Sequence, residues 1–185
     1  MTSEALARPA ARGEQPRKRD RDGAFEFEPH HCFACGELNE HGLHLELHTD
    51  PTSSWVETTL APRFQGWDDV AHGGIACTLL DEVMAWSVIG RGTWGMTARF
   101  AVQWRRPVPT GRLIRAEGQV VEEKRRVFRT EGRILDPATG EILATADGTF
   151  VAVPPAELER LKSRYRWRRL PVDESADITG KGDVG

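Results

Sequence analysis

A chain of 185 residues with a formal net charge of −3 has room for one domain with tails and offers no electrostatic case for binding nucleic acid along its length. Three cysteines are too few for a disulfide framework, and no apolar run reads as long enough to cross a bilayer. Lysine occurs only at 18, 124, 162 and 181, so the basic character is almost wholly arginine, which we read as a compositional bias and not as a phosphate site. The expectation is therefore a protein with no nucleic-acid or membrane partner. The first 24 residues have no apolar signal core, so a cytoplasmic location is expected.

Residues 1–24 are rich in Ala, Arg, Glu and Pro and are expected to be a disordered tail. The main domain is expected over residues 25–153. It begins with Cys32-Phe33-Ala34-Cys35-Gly36 beside His30 and His31. One CxxC supplies two of the four ligands that a tetrahedral zinc site needs. His31, Cys32, Cys35 and His41 match no standard finger spacing, so small buried side chains are expected here and no metal.

Leu43–His48 and Trp55–Leu60 are short strand candidates parted by Asp50-Pro51. Gly74 to about Ile89 reads as a helix closed by Gly90 and Gly92. Period two then takes over. Ala98, Phe100, Val102 and Trp104 fall on one face, and Thr97, Arg99, Gln103 and Arg105 on the other. Arg112–Glu123 and Arg126–Leu135 form a hairpin pattern around Lys124. The turn Asp136–Gly140 precedes a last strand, Ile142–Val153. A C-terminal helix is expected over residues 154–169 and a disordered tail over 170–185. One helix against consecutive antiparallel strands is an α+β arrangement.

The helix divides into two stripes at about 100° per residue. Ile75, Leu79, Leu80, Val83 and Trp86 are bulky and should press into the sheet. Gly74, Cys77, Thr78, Asp81, Met84, Ala85 and Val88 make the second stripe. An acid inside an apolar helix is costly unless paired, protonated or used. Asp81 therefore should look toward a ligand or a partner chain. Its neighbour Glu82, about 100° further round, is expected as a surface or salt-bridge residue. Gly73 and Gly74 at the helix start let backbone N–H groups approach a ligand closely, with the positive end of the helix dipole behind them. Cys77 has no obvious base beside it and is not expected to be a nucleophile.

At His72-Gly73-Gly74 and Asp81 the chain resembles the hotdog-fold acyl-CoA thioesterases, in particular the phenylacetate-pathway-like group. Their signature is His-Gly-Gly with a catalytic Asp nine residues after the His. Met96-Thr97-Ala98-Arg99-Phe100, leading to Trp104-Arg105-Arg106-Pro107-Val108-Pro109, is similar to that family's next strand. Cys32–Gly36 and Gly42-Leu43 are similar to the N-terminal lead-in of one subgroup. The resemblance runs over roughly residues 30–153. It implies the hotdog fold, one long central helix wrapped by a curved antiparallel sheet, here with a short C-terminal helix. It also implies hydrolysis of an acyl-CoA or acyl-carrier-protein thioester without a cofactor.

The resemblance makes Asp81 general base or nucleophile, Gly73 and Gly74 the oxyanion donors, and His72 a group that shapes the loop or touches the thioester. Thr97 would orient water or the Asp. Some relatives carry Asn six residues before the His. Gly66 stands there in this chain, which leaves Gln65 as the substitute amide. Trp86 is expected in an acyl pocket and Arg105 and Arg106 at the CoA phosphates. Gly74 and Asp81 lie roughly 10 Å apart along one helix, whereas attack requires about 3 Å. A homodimer, or a dimer of dimers, with sites shared between chains resolves that distance. The rivals are a non-hydrolytic acyl-thioester binder on the same fold, a hotdog dehydratase or hydratase, and a CxxC metal-dependent interaction module.

Overall fold

The computed structural model describes residues 18–19 and 25–169. The expectations for residues 1–24 and 170–185 fall outside the described residues, apart from Lys18–Arg19. In chain order the strands before the main helix are β1 (Lys18–Arg19), β2 (Phe25–Phe27), β3 (His48–Thr49), β4 (Ser53–Thr59), β5 (Gln65–Trp67) and β6 (Val70–Ala71). Then come helix α1 (Gly73–Gly90), β7 (Gly95–Trp104), β8 (Leu113–Lys124), β9 (Val127–Leu135), β10 (Ile142–Ala152), helix α2 (Pro155–Tyr165) and β11 (Arg168–Arg169). The main sheet is antiparallel with the order β3-β4-β8-β9-β10-β7, and α1 lies across it. This is the α+β hotdog fold.

The sheet wraps α1 because a row of small residues crosses it in register. Ser54 pairs with Gly118, Gly118 with Gly132, and Gly132 with Ala146. A Cβ on Gly118 would stand 2.6 Å from the Val83 backbone, and one on Gly132 would stand 3.1 Å from Met84 Cγ. The Ser54 hydroxyl donates to the Val83 carbonyl across the same seam. Leu79, Leu80, Val83 and Met84 are fully buried against this row. Against the expectation that no apolar run is long enough, α1 is by length and composition apolar enough to cross a membrane; its bulky face is the domain core. Met84 and Val88 belong to that core as well, so the second stripe is small only at Gly74, Cys77, Thr78, Asp81 and Ala85.

Other departures have local causes. Leu43–Leu47 is not a strand: His44 takes a left-handed conformation (φ 49°), the Leu43 and Leu45 N–H groups donate to the Phe33 and Ala34 carbonyls, and His48–Thr49 joins β4. The C-terminal helix stops at Tyr165, because Arg166 takes a left-handed conformation (φ 45°). Trp167 then packs inward, stacked at 5.2 Å on Phe25. The chain continues as β11, which pairs with β2 and not with the main sheet.

Candidate active site

His72 closes the β5–β6 hairpin and caps α1. Its N–H donates to the Phe64 carbonyl at 2.8 Å, and its own carbonyl accepts from Ile75 N–H at 2.9 Å. Its Nδ1 accepts from Gly74 N–H at 3.0 Å. A neutral imidazole with Nδ1 accepting carries its proton on Nε2, so His72 offers a donor at its outer edge. Gly74 N–H is thus engaged by the cap, while Gly73 N–H has no partner among the described residues. Both glycines are exposed. A Cβ at Gly74 would stand 3.1 Å from His72 Nδ1; one at Gly73 would meet only the Trp104 ring edge at 3.6 Å.

Two turns along α1, Asp81 Oδ1 accepts from Thr97 Oγ1 at 2.7 Å. Simple alternation puts Thr97 on the face opposite Phe100 and Val102, and the structure corrects this. The β7–β10 register shifts between Thr149 and Phe150, which leaves Ala98 as a bulge and pairs Thr97 with buried Phe150. Thr97 therefore turns inward with Phe100, Val102 and Trp104. Bulges commonly re-aim a side chain in this way. β7 runs antiparallel to α1, so Trp104 lies beside Gly73 and Thr97 beside Asp81. Burial, and then the charge of Asp81, push the Cys77 thiol above its ordinary range, which keeps it protonated.

The remaining predicted residues are placed unevenly. Gln65 is exposed in β5, paired with Ala71 next to His72. A Cβ at Gly66 would stand 3.1 Å from His72 Cα, so His72 fills the space that a larger residue would claim. Arg105 and Arg106 follow Trp104 at the end of β7, and both of their N–H groups donate to the Leu143 carbonyl at 2.9 Å. Arg106 is paired with Glu141 at 2.9 Å, and the Arg105 guanidinium reaches Gln103 at 2.8 Å.

Trp86 is not beside Asp81. It lines a separate cavity of about 210 Å³ on the flank of α1, with Phe27, Trp94, Tyr165 and Trp167. Its Nε1 donates to Glu82 Oε1 at 3.0 Å. Glu82 is likewise no surface residue: it faces this cavity together with Cys32 and Cys35. Burial, then the nearby Cys32, push its pKa up to about 7. The hydrogen bond with Cys32, then burial, hold the Cys35 thiol far above its ordinary value. The sequence signal for this cluster was the CxxC with a following Gly; its third member, Glu82, lies on another element and was not linked to it.

Residues 69–143 match the family model of the thioesterase superfamily. Over that stretch the chain is similar to the thioesterase superfamily, in keeping with its hotdog fold. A solved thioesterase superfamily protein is 26% identical, covers 77% of this chain and 68% of its own, and has a TM-score of 0.63. A Streptococcus pneumoniae hypothetical thioesterase solved with coenzyme A is 20% identical, with 57% and 82% covered and a TM-score of 0.54. The Escherichia coli PaaI protein of the phenylacetic acid degradation operon is 19% identical, with 55% and 77% covered and a TM-score of 0.52. A comparison with curated proteins found no match.

Proposed function

We propose that the protein hydrolyses an acyl-CoA thioester, as a member of the phenylacetate-pathway-like group, at sites shared between two chains. The observation that carries this reading is the 2.7 Å bond from Thr97 to Asp81 on the seam between β7 and α1. That bond holds one carboxylate oxygen, which leaves the other for the reacting atoms. Solved variants of the pneumococcal thioesterase replace an Asp and a Thr sixteen residues apart by Ala, and Asp81 and Thr97 stand at the same separation.

Gly73 N–H, at the positive end of α1, is the donor for the developing oxyanion, and the Nε2–H of His72 is at hand beside it. Asp81 either takes a proton from water, which adds to the thioester carbonyl, or attacks that carbonyl itself and yields an anhydride that water opens. In both routes the C–S bond breaks and the thiol leaves. In single-turnover hydrolysis in labelled water, label in Asp81 marks the nucleophilic route with water opening the anhydride at the Asp81 carbon. Arg105, which follows Trp104 near the start of α1, is our candidate partner for the CoA phosphates.

The two-chain site has a geometric basis. β7 pairs only with β10 among the described strands, so its other edge is open. Next to that edge Met96 is 66% and Trp104 50% exposed. Exposed strand edges are templates for pairing. Antiparallel pairing of two β7 strands about their middle sets Thr97 of one chain opposite the Trp104 end of the other. Because Asp81 accompanies Thr97 and Gly73 accompanies Trp104, Asp81 of one chain then faces Gly73 of its partner.

The test is release of free thiol from a panel of acyl-CoAs by the purified protein. Turnover with at least one of them is expected, and Asp81→Asn should lower it on the order of a hundredfold or more. Tight acyl-CoA binding without thiol release would make the protein a binder on the same fold. Near-wild-type turnover by Asp81→Asn would remove Asp81 from the reaction.

A further inference from the structure

The cavity beside α1 contains a group of metal-capable side chains that thioester hydrolysis leaves unused. Cys32, Cys35 and Glu82 each point one ligand atom into a space where all three atoms lie within 4.8 Å of one another. We propose that these three side chains bind a zinc ion that fastens the loop Cys32–Gly36 to α1 beside Asp81.

The distances suit zinc. Zinc–sulfur bonds of about 2.3 Å and zinc–oxygen bonds of about 2.0–2.2 Å put tetrahedral ligand atoms roughly 3.3–3.8 Å apart. The three ligand atoms, within 4.8 Å of one another, lie close to that range. The chemistry also suits it, since two thiolates and a carboxylate select a borderline-soft divalent cation over calcium or magnesium.

The loop is built to hold both sulfurs on one side. Gly36 N–H donates to the Cys32 carbonyl at 2.9 Å, and Leu38 N–H donates to the His30 carbonyl at 3.1 Å. Cys32 N–H donates to His30 Nδ1 at 3.2 Å. A Cβ on Gly36 would stand 2.4 Å from Cys32 N, so only glycine permits this closed turn. The sequence offers His31 and His41 as further ligands; the fold supplies Glu82 from α1 in their place.

The surroundings favour an ion over a bare cluster. Apart from His30 and Tyr165, the rest of the wall is apolar or indole side chains, and no lysine or arginine lines the cavity among the described residues. Binding releases the ligand protons and replaces a cluster of thiols and acid by a coordinated set. Three protein ligands leave a fourth position for water or another acceptor. In the same wall, the buried indole N–H groups of Trp94 and Trp167 have no hydrogen-bond partner among the described residues, so donors for such a group are present.

The experiment uses the full chain, reduced, stripped with a chelator and titrated with cobalt(II) as a spectroscopic stand-in and with zinc(II) as the native candidate. The expected result is one cobalt per chain with a thiolate-to-cobalt charge-transfer band, and its displacement by zinc. Zinc should slow alkylation of Cys32 and raise the melting temperature. Glu82→Gln keeps side-chain shape and should weaken cobalt binding at least tenfold. The double variant Cys32→Ser with Cys35→Ser should lose the charge-transfer band. Absence of the band in the reduced wild-type chain would overturn the proposal. So would cobalt affinity unchanged by Glu82→Gln, or alkylation of Cys32 unaffected by zinc. The alkylation readout needs no variant, so it decides even where the serine variant does not fold.

Discussion

Asp81 keeps one oxygen on the Thr97 hydroxyl at 2.7 Å, and Thr97 is turned toward it only because Ala98 is a bulge. A bond to a charged acceptor is worth about 1.5–3 kcal/mol. Thr97→Val keeps the shape of the side chain and removes the donor. It should lower kcat on the order of tenfold to a hundredfold while KM changes less, measured by thiol release across substrate concentrations. A turnover equal to wild type would mean that Thr97 is an ordinary strand residue. The pairing of Asp81 with Thr97 could be anticipated from the family resemblance. The inward turn of Thr97 could not, because a bulge is set by strand pairing and leaves no mark in a run such as Met96–Phe100. The environment of Glu82 was hidden for a related reason. Helical periodicity says which residues share a face of α1, but what covers that face comes from Phe27 and Cys32 at one end of the chain and Trp167 at the other.

At the scale of elements, α1 and the turn positions were legible, since the apolar run and the Gly, Asp and Pro punctuation are local. The seating of the helix was less so. It depends on Gly118 and Gly132, in two strands, which the sequence presents as weak strand formers. Gly118→Ala tests this: the new Cβ meets backbone atoms of Val83 at 2.6 Å, which cannot swing aside. A loss of about 2–3 kcal/mol is expected in chemical unfolding. Gly73→Ala, where the nearest atom is 3.6 Å away, should leave stability unchanged or slightly raised.

The β3–β4 turn makes a pH prediction. Burial alone would raise the Asp50 carboxyl, but donors from Ser53 and Thr52 outweigh it and hold the group below its ordinary 3.8. Thr52 N–H and Ser53 N–H donate at 2.7 and 2.8 Å. A carboxylate more acidic when folded contributes stability that is present above its unfolded pKa and is lost as pH falls through the folded one. Melting temperature measured between about pH 5 and pH 3 should therefore fall less steeply in Asp50→Asn than in wild type. An equal slope would remove Asp50 from the acid transition.

For the whole molecule, the separation of Gly73 and Asp81 along α1 and the open edge of β7 lead to one claim: the working unit is two chains with two composite sites. Complementation measures it directly. Asp81→Asn protein and Gly73→Val protein, each inactive alone, are mixed, dissociated and reassociated. One site of each mixed dimer then holds Asp81 from the Gly73→Val chain and Gly73 from the Asp81→Asn chain. Random exchange makes half the dimers mixed, with one good site of two, so recovery up to about a quarter of wild-type turnover is expected. No recovery, with exchange proven and both variants folded, would contradict the shared site and put Gly73 and Asp81 of one chain at the same carbonyl.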